Sequence, residues 1–138
     1  LASTKLTEAQ SATRTITQLA SLGFIKVVTS VDAVNAAQNA LRRVYGRQSG
    51  GMVRKLRKLL QATFHIVPTP SPESVQECLP EVLDPADALI LSAARNAGCF
   101  VLLTYNTRHF VKAKSIKVLT PKEFVEQVRK LLWFGFQP

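Results

Sequence analysis

Residues 84–106 constrain the fold more than any other part of this chain. Asp84-Pro85-Ala86-Asp87 leads into Ala88-Leu89-Ile90-Leu91-Ser92-Ala93-Ala94, then Gly98, then Cys99-Phe100-Val101-Leu102-Leu103-Thr104, and then the polar turn Tyr105-Asn106. The pattern predicts a helix with Asp84 as N-cap, Pro85 at its first position and Asp87 three residues after the cap. Gly98 suits its C-terminal stop. The apolar run from Cys99 to Leu103 reads as a strand buried on both faces, as strands of parallel sheets are. Acidic and amide side chains then fall at a helix start and a strand end, positions that a parallel sheet can bring to one edge.

The remaining sequence alternates helices and strands. Apolar spacing at Ala9, Ala12, Ile16, Leu19 and Ala20 predicts a helix from Thr7-Glu8 to about Leu22, stopped by Gly23. Phe24 to Thr29 reads as a strand. Ser30 is the expected N-cap of a helix from Val31 to Tyr45, with Val34, Ala37, Leu41 and Val44 on its inner face. The glycines at 46, 50 and 51 predict a loop. Met52 to Thr63 follows as a helix with Met52, Val53, Leu56, Leu59 and Leu60 inward. Phe64 to Val67 reads as a strand closed by Pro68, Pro70 and Pro72, and a short helix covers Glu73 to Leu79. Ile116 to Leu119 is the last expected strand. Thr120-Pro121-Lys122-Glu123 has the spacing of a capping box opening a helix to about Leu132. The expectation is an α/β fold, three layers α/β/α with a mainly parallel central sheet, as one domain over 1–138. Right-handed crossovers place the strand carboxyl ends on one edge, where open sheets bind ligands.

Charge narrows the partners. The 138 residues carry 18 Lys and Arg against 9 Asp and Glu, a formal charge of +9. Between Ala33 and Pro72 there is no acid, while Arg42, Arg43, Arg47, Arg54, Lys55, Arg57 and Lys58 fall there. Such a cluster favours a polyanion through phosphate contacts and counterion release, against the alternative of a merely solvated basic face. No apolar run approaches the roughly 18–20 residues that span a bilayer, so no membrane segment is expected. Cys78 and Cys99 stand outside CxxC spacing, which predicts buried thiols and a reducing, cytoplasmic setting.

The familiar motifs are missing. No glycine-rich dinucleotide fingerprint follows the strand before Ser30, no GxxxxGK[ST] occurs, and no nucleophile elbow occurs. The Cys and His spacing disfavours zinc. Carboxylates and an amide at a sheet edge of a basic protein suit a hard divalent cation, which prefers oxygen ligands and shares substrate phosphate.

The run Asp-Ala-Leu-Ile-Leu-Ser-Ala-Ala, Gly-Cys, Leu-Leu-Thr-Tyr-Asn-Thr-Arg-His-Phe and Ile-Lys-Val-Leu-Thr-Pro-Lys-Glu-Phe, from Asp84 to Val125, resembles the C-terminal half of a PIN domain. Leu22 to Arg43 resembles the family's second strand and following helix. The resemblance implies a Mg²⁺- or Mn²⁺-dependent ribonuclease acting on RNA. It also implies, for toxin–antitoxin members, an antitoxin-like protein partner and a homodimer. By position, Asp87, Asp84 and Asn106 are the implied metal and catalytic residues, with Thr104 orienting the turn. The basic cluster read from the charge pattern, Arg42, Arg43, Arg54, Lys55, Arg57 and Lys58, is expected to track the RNA backbone, and Arg108 and His109 match the polar tail of the family's turn, where phosphate contact is implied. Two positions depart from the family pattern. Leu1 to Thr7 lacks the Asp of the family's first strand, and Leu1 is consistent with a trimmed start. Val34-Asn35-Ala36-Ala37-Gln38 lacks the helix Glu, leaving Asn35 as a weak oxygen donor and Asp32 out of register.

Each site residue also has a plainer reading. Asp84 and Asp87 can simply cap their helix, which contributes about 0.5–2 kcal/mol. Asn106 can be a turn residue in left-handed geometry. His65 and His109 are more often packing or surface residues. Trp133, Phe134 and Phe136 fold back on the core or form a dimer contact. The rival functional reading is a degenerate module of the same fold that binds RNA or a protein without cleaving.

Overall fold

The computed structural model describes residues 8–135, with side chains described for residues 10–133. Its elements run α1 (Glu8–Ser21), β1 (Val28–Ser30), α2 (Val31–Tyr45), a 3-10 turn (Gly46–Gln48), α3 (Ser49–Thr63), β2 (His65–Val67) and α4 (Pro72–Cys78). A second 3-10 turn (Leu79–Glu81), α5 (Asp87–Asn96), β3 (Val101–Leu103), a third 3-10 turn (Thr107–Phe110), β4 (Lys117–Leu119) and α6 (Pro121–Gly135) complete it. Every strand pair is parallel, as expected for an α/β fold. β1 pairs with β2 in the register Thr29 to Ile66, and β3 pairs with β4 in the register Leu102 to Val118. Among the described residues the ladders are two separate pairs rather than one continuous sheet.

Local chemistry sets the boundaries. The Ser30 hydroxyl accepts a hydrogen bond from the Ala33 N–H at 3.0 Å and caps α2. The Glu123 N–H donates to Thr120 Oγ1, and Glu123 Oε1 accepts from the Thr120 N–H, both at 3.1 Å; the capping box therefore forms. α1 and α5 stop at Gly23 and Gly98, whose φ angles of 81° and 70° lie in the left-handed region. In each, the residue after the glycine donates back five residues, Phe24 to Leu19 and Cys99 to Ala94, closing a Schellman motif.

Four expectations are corrected. Phe24 to Val27 is turn and coil, because the Schellman closure of α1 occupies its start; β1 begins at Val28. The glycines at 50 and 51 lie inside α3 rather than in a loop, since a 3-10 turn carries α2 directly into it. The inner face of α3 is only half covered: Met52 and Leu59 are exposed, and Val53, Leu56 and Leu60 are half-buried. On α2, Val34 is buried, but Ala37 and Val44 face outward.

Two clusters hold the layers. Ala88, Leu91 and Ala94 of α5 pack with Cys78, Val82, Leu102, Phe110 and Ile116, so α4 and α5 cover one side of β3–β4. Ala12 and Ile16 of α1 pack with Val125 of α6, and Ile25, Val27 and Leu103 join them. Val27 and Leu103, beside or within the two strand pairs, thus share one helical layer. A fully buried residue of the size of Leu91 contributes about 1.5–3 kcal/mol by leaving water. No helix among the described residues is long and apolar enough to cross a membrane. Trp133 is exposed and does not fold back on the core; Phe136 and the side chain of Phe134 lie outside what is described, as does Thr7.

Candidate functional site

Two loops meet where β3 ends and α5 begins. From the α5 side, Asp84 stands at the head of the turn that opens the helix. Its Oδ1 accepts from the Ala86 N–H at 3.0 Å, a bond two residues along, and its carbonyl accepts from the Asp87 N–H at 2.9 Å. The Oδ1 bond is the one an N-cap makes to the second residue of a helical turn, with Pro85 at the first position and Ala86 helical at φ −60° and ψ −30°; the regular α-helix starts at Asp87. The capping reading therefore holds for Asp84, which caps the first turn, while the Asp87 carboxylate within that turn faces His109 instead.

From the β3 side, the Thr104 N–H extends the ladder by donating to Leu119 C=O at 3.0 Å. The Thr104 hydroxyl accepts from the Asn106 N–H at 3.1 Å, which orients the turn as expected of it. Asn106 has φ −103° and ψ 56°, so it is not left-handed, and its side chain caps nothing. Its carbonyl accepts from the His109 N–H at 3.0 Å, closing the 3-10 turn Thr107–Phe110. Phe110, 2% exposed in the core, pins that turn.

Two bonds join the loops. The Leu83 N–H donates to His109 C=O at 3.0 Å, and His109 Nδ1 lies 2.9 Å from Asp87 Oδ2. The histidine therefore bridges the acidic turn and the amide turn. Sequence reading placed His109 only in the polar tail and missed this role; the available signal was its position three residues after Asn106, one 3-10 turn away. His65, by contrast, is exposed on β2.

Among the described residues no group of three or more His, Cys, Asp or Glu side chains stands close enough to hold a metal ion. Asp32, at the start of α2, accepts from Thr69 Oγ1 at 3.3 Å and keeps a buried Oδ2 without a partner. Asn35 is exposed. Tyr105, next to the turn, meets Thr13 of α1 through its hydroxyl at 3.0 Å.

The basic residues lie apart from this junction, on α2 and α3. Arg42, Arg43, Arg54, Lys55, Arg57 and Lys58 are all exposed. The fold gathers Arg42, Arg54 and Arg57 around one groove between the two helices; the other three are not brought to it. Arg108 is exposed on the 3-10 turn beside His109.

The second strong polar cluster is structural. Arg95 ion-pairs with Glu81, and its guanidinium also reaches Ser115 Oγ at 2.7 Å and the buried Cys78 sulfur at 3.3 Å. The Arg95 hydrogen bond holds the Glu81 carboxyl below its ordinary value against the opposing effect of burial, and the Lys114 N–H adds to it. Burial pushes the Cys99 thiol up. The Arg95 contacts tie α5 to α4, to the 3-10 turn that follows it and to the loop before β4.

No curated protein and no solved structure gives a significant match to the chain. The PIN domain family profile matches residues 2–108, which contain β1, α5, β3 and the Asp87 and Asn106 turns. Domains of this family have a nuclease-like fold, act in RNA-related functions and generally depend on a divalent metal. With more than half of its length matched, and with parallel strand pairs between helical layers, the chain belongs to the PIN domain family.

Proposed function

We propose that this chain is a ribonuclease-type PIN domain that grips single-stranded RNA with the arginines and lysines of α2 and α3 and hydrolyses it at Asp87. The observation that carries this reading is the junction itself: Asp84 with Asp87 and Thr104 with Asn106, two pairs separated in sequence by α5 and β3, lie on two segments bonded together by His109. A hydrolytic site needs oxygen donors fixed to within fractions of an ångström, and two loops pinned by Phe110 and α5 supply that rigidity.

The donors are carboxylates and an amide, the chemistry of a hard cation. Mg²⁺ keeps several waters and uses one or two protein carboxylates plus substrate phosphate, so a set smaller than three acids suits it better than a closed protein cage. Asp87, Asp84 and Asn106 would hold Mg²⁺ or Mn²⁺, which when bound supplies charge neutralisation at the phosphate and an activated water. Asp87 Oδ2 is already held by His109, so the imidazole fixes the carboxylate's orientation. The Thr104 hydroxyl accepts the Asn106 N–H bond that shapes the turn, and Arg108, exposed beside His109, would meet a phosphate leaving it.

Incubation of single-stranded RNA with Mn²⁺, comparing wild type with Asp87→Asn, tests the assignment. Cleavage by the wild type alone is expected. Equal cleavage by both removes Asp87 from the mechanism. A second reading, RNA binding without cleavage, is favoured by the lack of a three-residue acid cluster among the described residues and by Gln38 and Asn35 standing on the helix where the resemblance implies a Glu. Salt-dependent RNA binding with no Mn²⁺-dependent product selects it.

A further inference from the structure

The groove between α2 and α3 has a cavity volume of about 330 Å³ and is lined by Gln38 and Arg42 from α2 and by Gly50, Val53, Arg54 and Arg57 from α3. Positions 38 and 42 are one turn apart, and 50, 53, 54 and 57 share one face, so two helical faces form its walls. Those walls are mostly apolar, while the lip carries three guanidinium-bearing residues. Gln38 is 4% exposed, and its Nε2 is buried without a hydrogen-bond partner.

That last fact asks for an explanation. A buried amide N–H without an acceptor forfeits its bond to water and gains nothing in return. Core packing does not require it, because a leucine fills the same volume. No acid lies between Ala33 and Pro72; the one acid of the two helices, Asp32 in the first turn of α2, is not among the residues lining the groove. The ion pairs Arg95–Glu81 and His109–Asp87 both lie elsewhere. Arg42 donates only to the neutral Asn39 Oδ1, at 3.2 Å.

We infer that this groove is a nucleotide subsite, taking one unstacked nucleotide of a single strand with its base against Val53 and Gln38 and its phosphate on Arg42, Arg54 and Arg57. The inference rests on the RNA-directed reading above and deepens it from a diffuse basic face to a defined pocket. A base supplies what the groove lacks: a flat apolar body for the walls and a carbonyl or ring-nitrogen acceptor for the Gln38 amide. Arginine planes stack on bases and fork to phosphate oxygens, and so serve both parts of the ligand. A bare phosphate satisfies the lip only, and an uncharged nucleoside satisfies the walls only.

The test uses the full chain with UMP, uridine and inorganic phosphate by calorimetry, and a twelve-nucleotide oligouridine by fluorescence anisotropy. UMP is expected to bind at least about tenfold more tightly than uridine or phosphate, a difference of about 1.4 kcal/mol. Two variants keep the result readable. Gln38→Leu removes the orphaned amide at constant volume; it is expected to weaken UMP about tenfold while raising the melting temperature, because an unsatisfied buried donor is gone. A lowered melting temperature would show that Gln38 serves the core, and would overturn the inference. Gly50→Leu fills the groove from a helical position where an added Cβ meets nothing within 4 Å, so it is expected to fold and to lose UMP. Oligouridine binding with no UMP binding overturns the pocket and leaves the RNA reading standing. UMP binding with no oligouridine binding keeps the pocket and overturns the RNA reading. Binding of neither overturns both, and points to a protein partner for the groove.

Discussion

Phe110 decides whether the candidate site is held by the core or merely rests on it. The ring is 2% exposed and packs with Cys78, Val82, Ala88, Leu91, Leu102 and Ile116. It is also the last residue of the 3-10 turn that presents His109 to Asp87. Removing a buried aromatic ring costs about 3–5 kcal/mol, the lost transfer energy plus the unfilled cavity. Set against a total stability of about 5–15 kcal/mol, Phe110→Ala leaves the fold marginal. Phe110→Leu is the graded step, with a cost of roughly 1–2 kcal/mol. For a chain of this size that lowers the melting midpoint by roughly 3–8 °C. Urea titrations of both variants give the free energies, and Val111→Ala, at an exposed neighbour, is the control expected within about 0.5 kcal/mol of wild type. Nitrogen-detected NMR of the His109 ring, followed in Phe110→Leu, is expected to show a loosened contact with Asp87. A cost below about 1 kcal/mol for Phe110→Ala would refute the claim that the core anchors the turn.

Three further outcomes follow from the same geometry. Asp87→Asn and His109→Gln, alone and together, should show a coupling of about 0.5–3 kcal/mol in urea titrations, because the two side chains share one hydrogen bond across two loops; additive effects would separate them. Ser30→Ala should cost about 1 kcal/mol by leaving the Ala33 N–H without its cap, whereas Asn35→Ala on the exposed side of α2 should be near neutral. The Glu81 carboxyl is held below its ordinary value of 4.5 in the folded chain, so folding favours its charged form. Its contribution is complete above that value and is lost as pH falls through the depressed folded value. Urea midpoints should therefore fall more steeply on acidification in wild type than in Glu81→Gln, and parallel profiles would contradict the assignment.

Much of the frame was legible because it is set by local chemistry. Ser30, Thr120 with Glu123, Gly23 and Gly98 each name a helix end, and each end falls where its hydrogen bonds require. The parallel pairing of β3 and β4 followed from the continuous apolar run after α5. Glycines at 50 and 51 misled because a helix tolerates them when the preceding turn already fixes its direction. Asp84-Pro85 has the spacing of a cap and a first helical residue, and the carboxylate makes the cap's bond to the Ala86 N–H. The His109 bridge and the orphaned Gln38 amide were illegible for one reason: each is a relation between residues on separate elements, and spacing along the chain carries no record of it.

Hydrogen exchange of the full chain with and without single-stranded RNA addresses the central claim, that one strand is gripped on α2 and α3 and presented to the Asp87–Asn106 junction. Protection rising together over residues 38–58 and 104–110 is the predicted pattern. Protection confined to α4 and the loop before β4, or no change at either segment under conditions where RNA is bound, would contradict it.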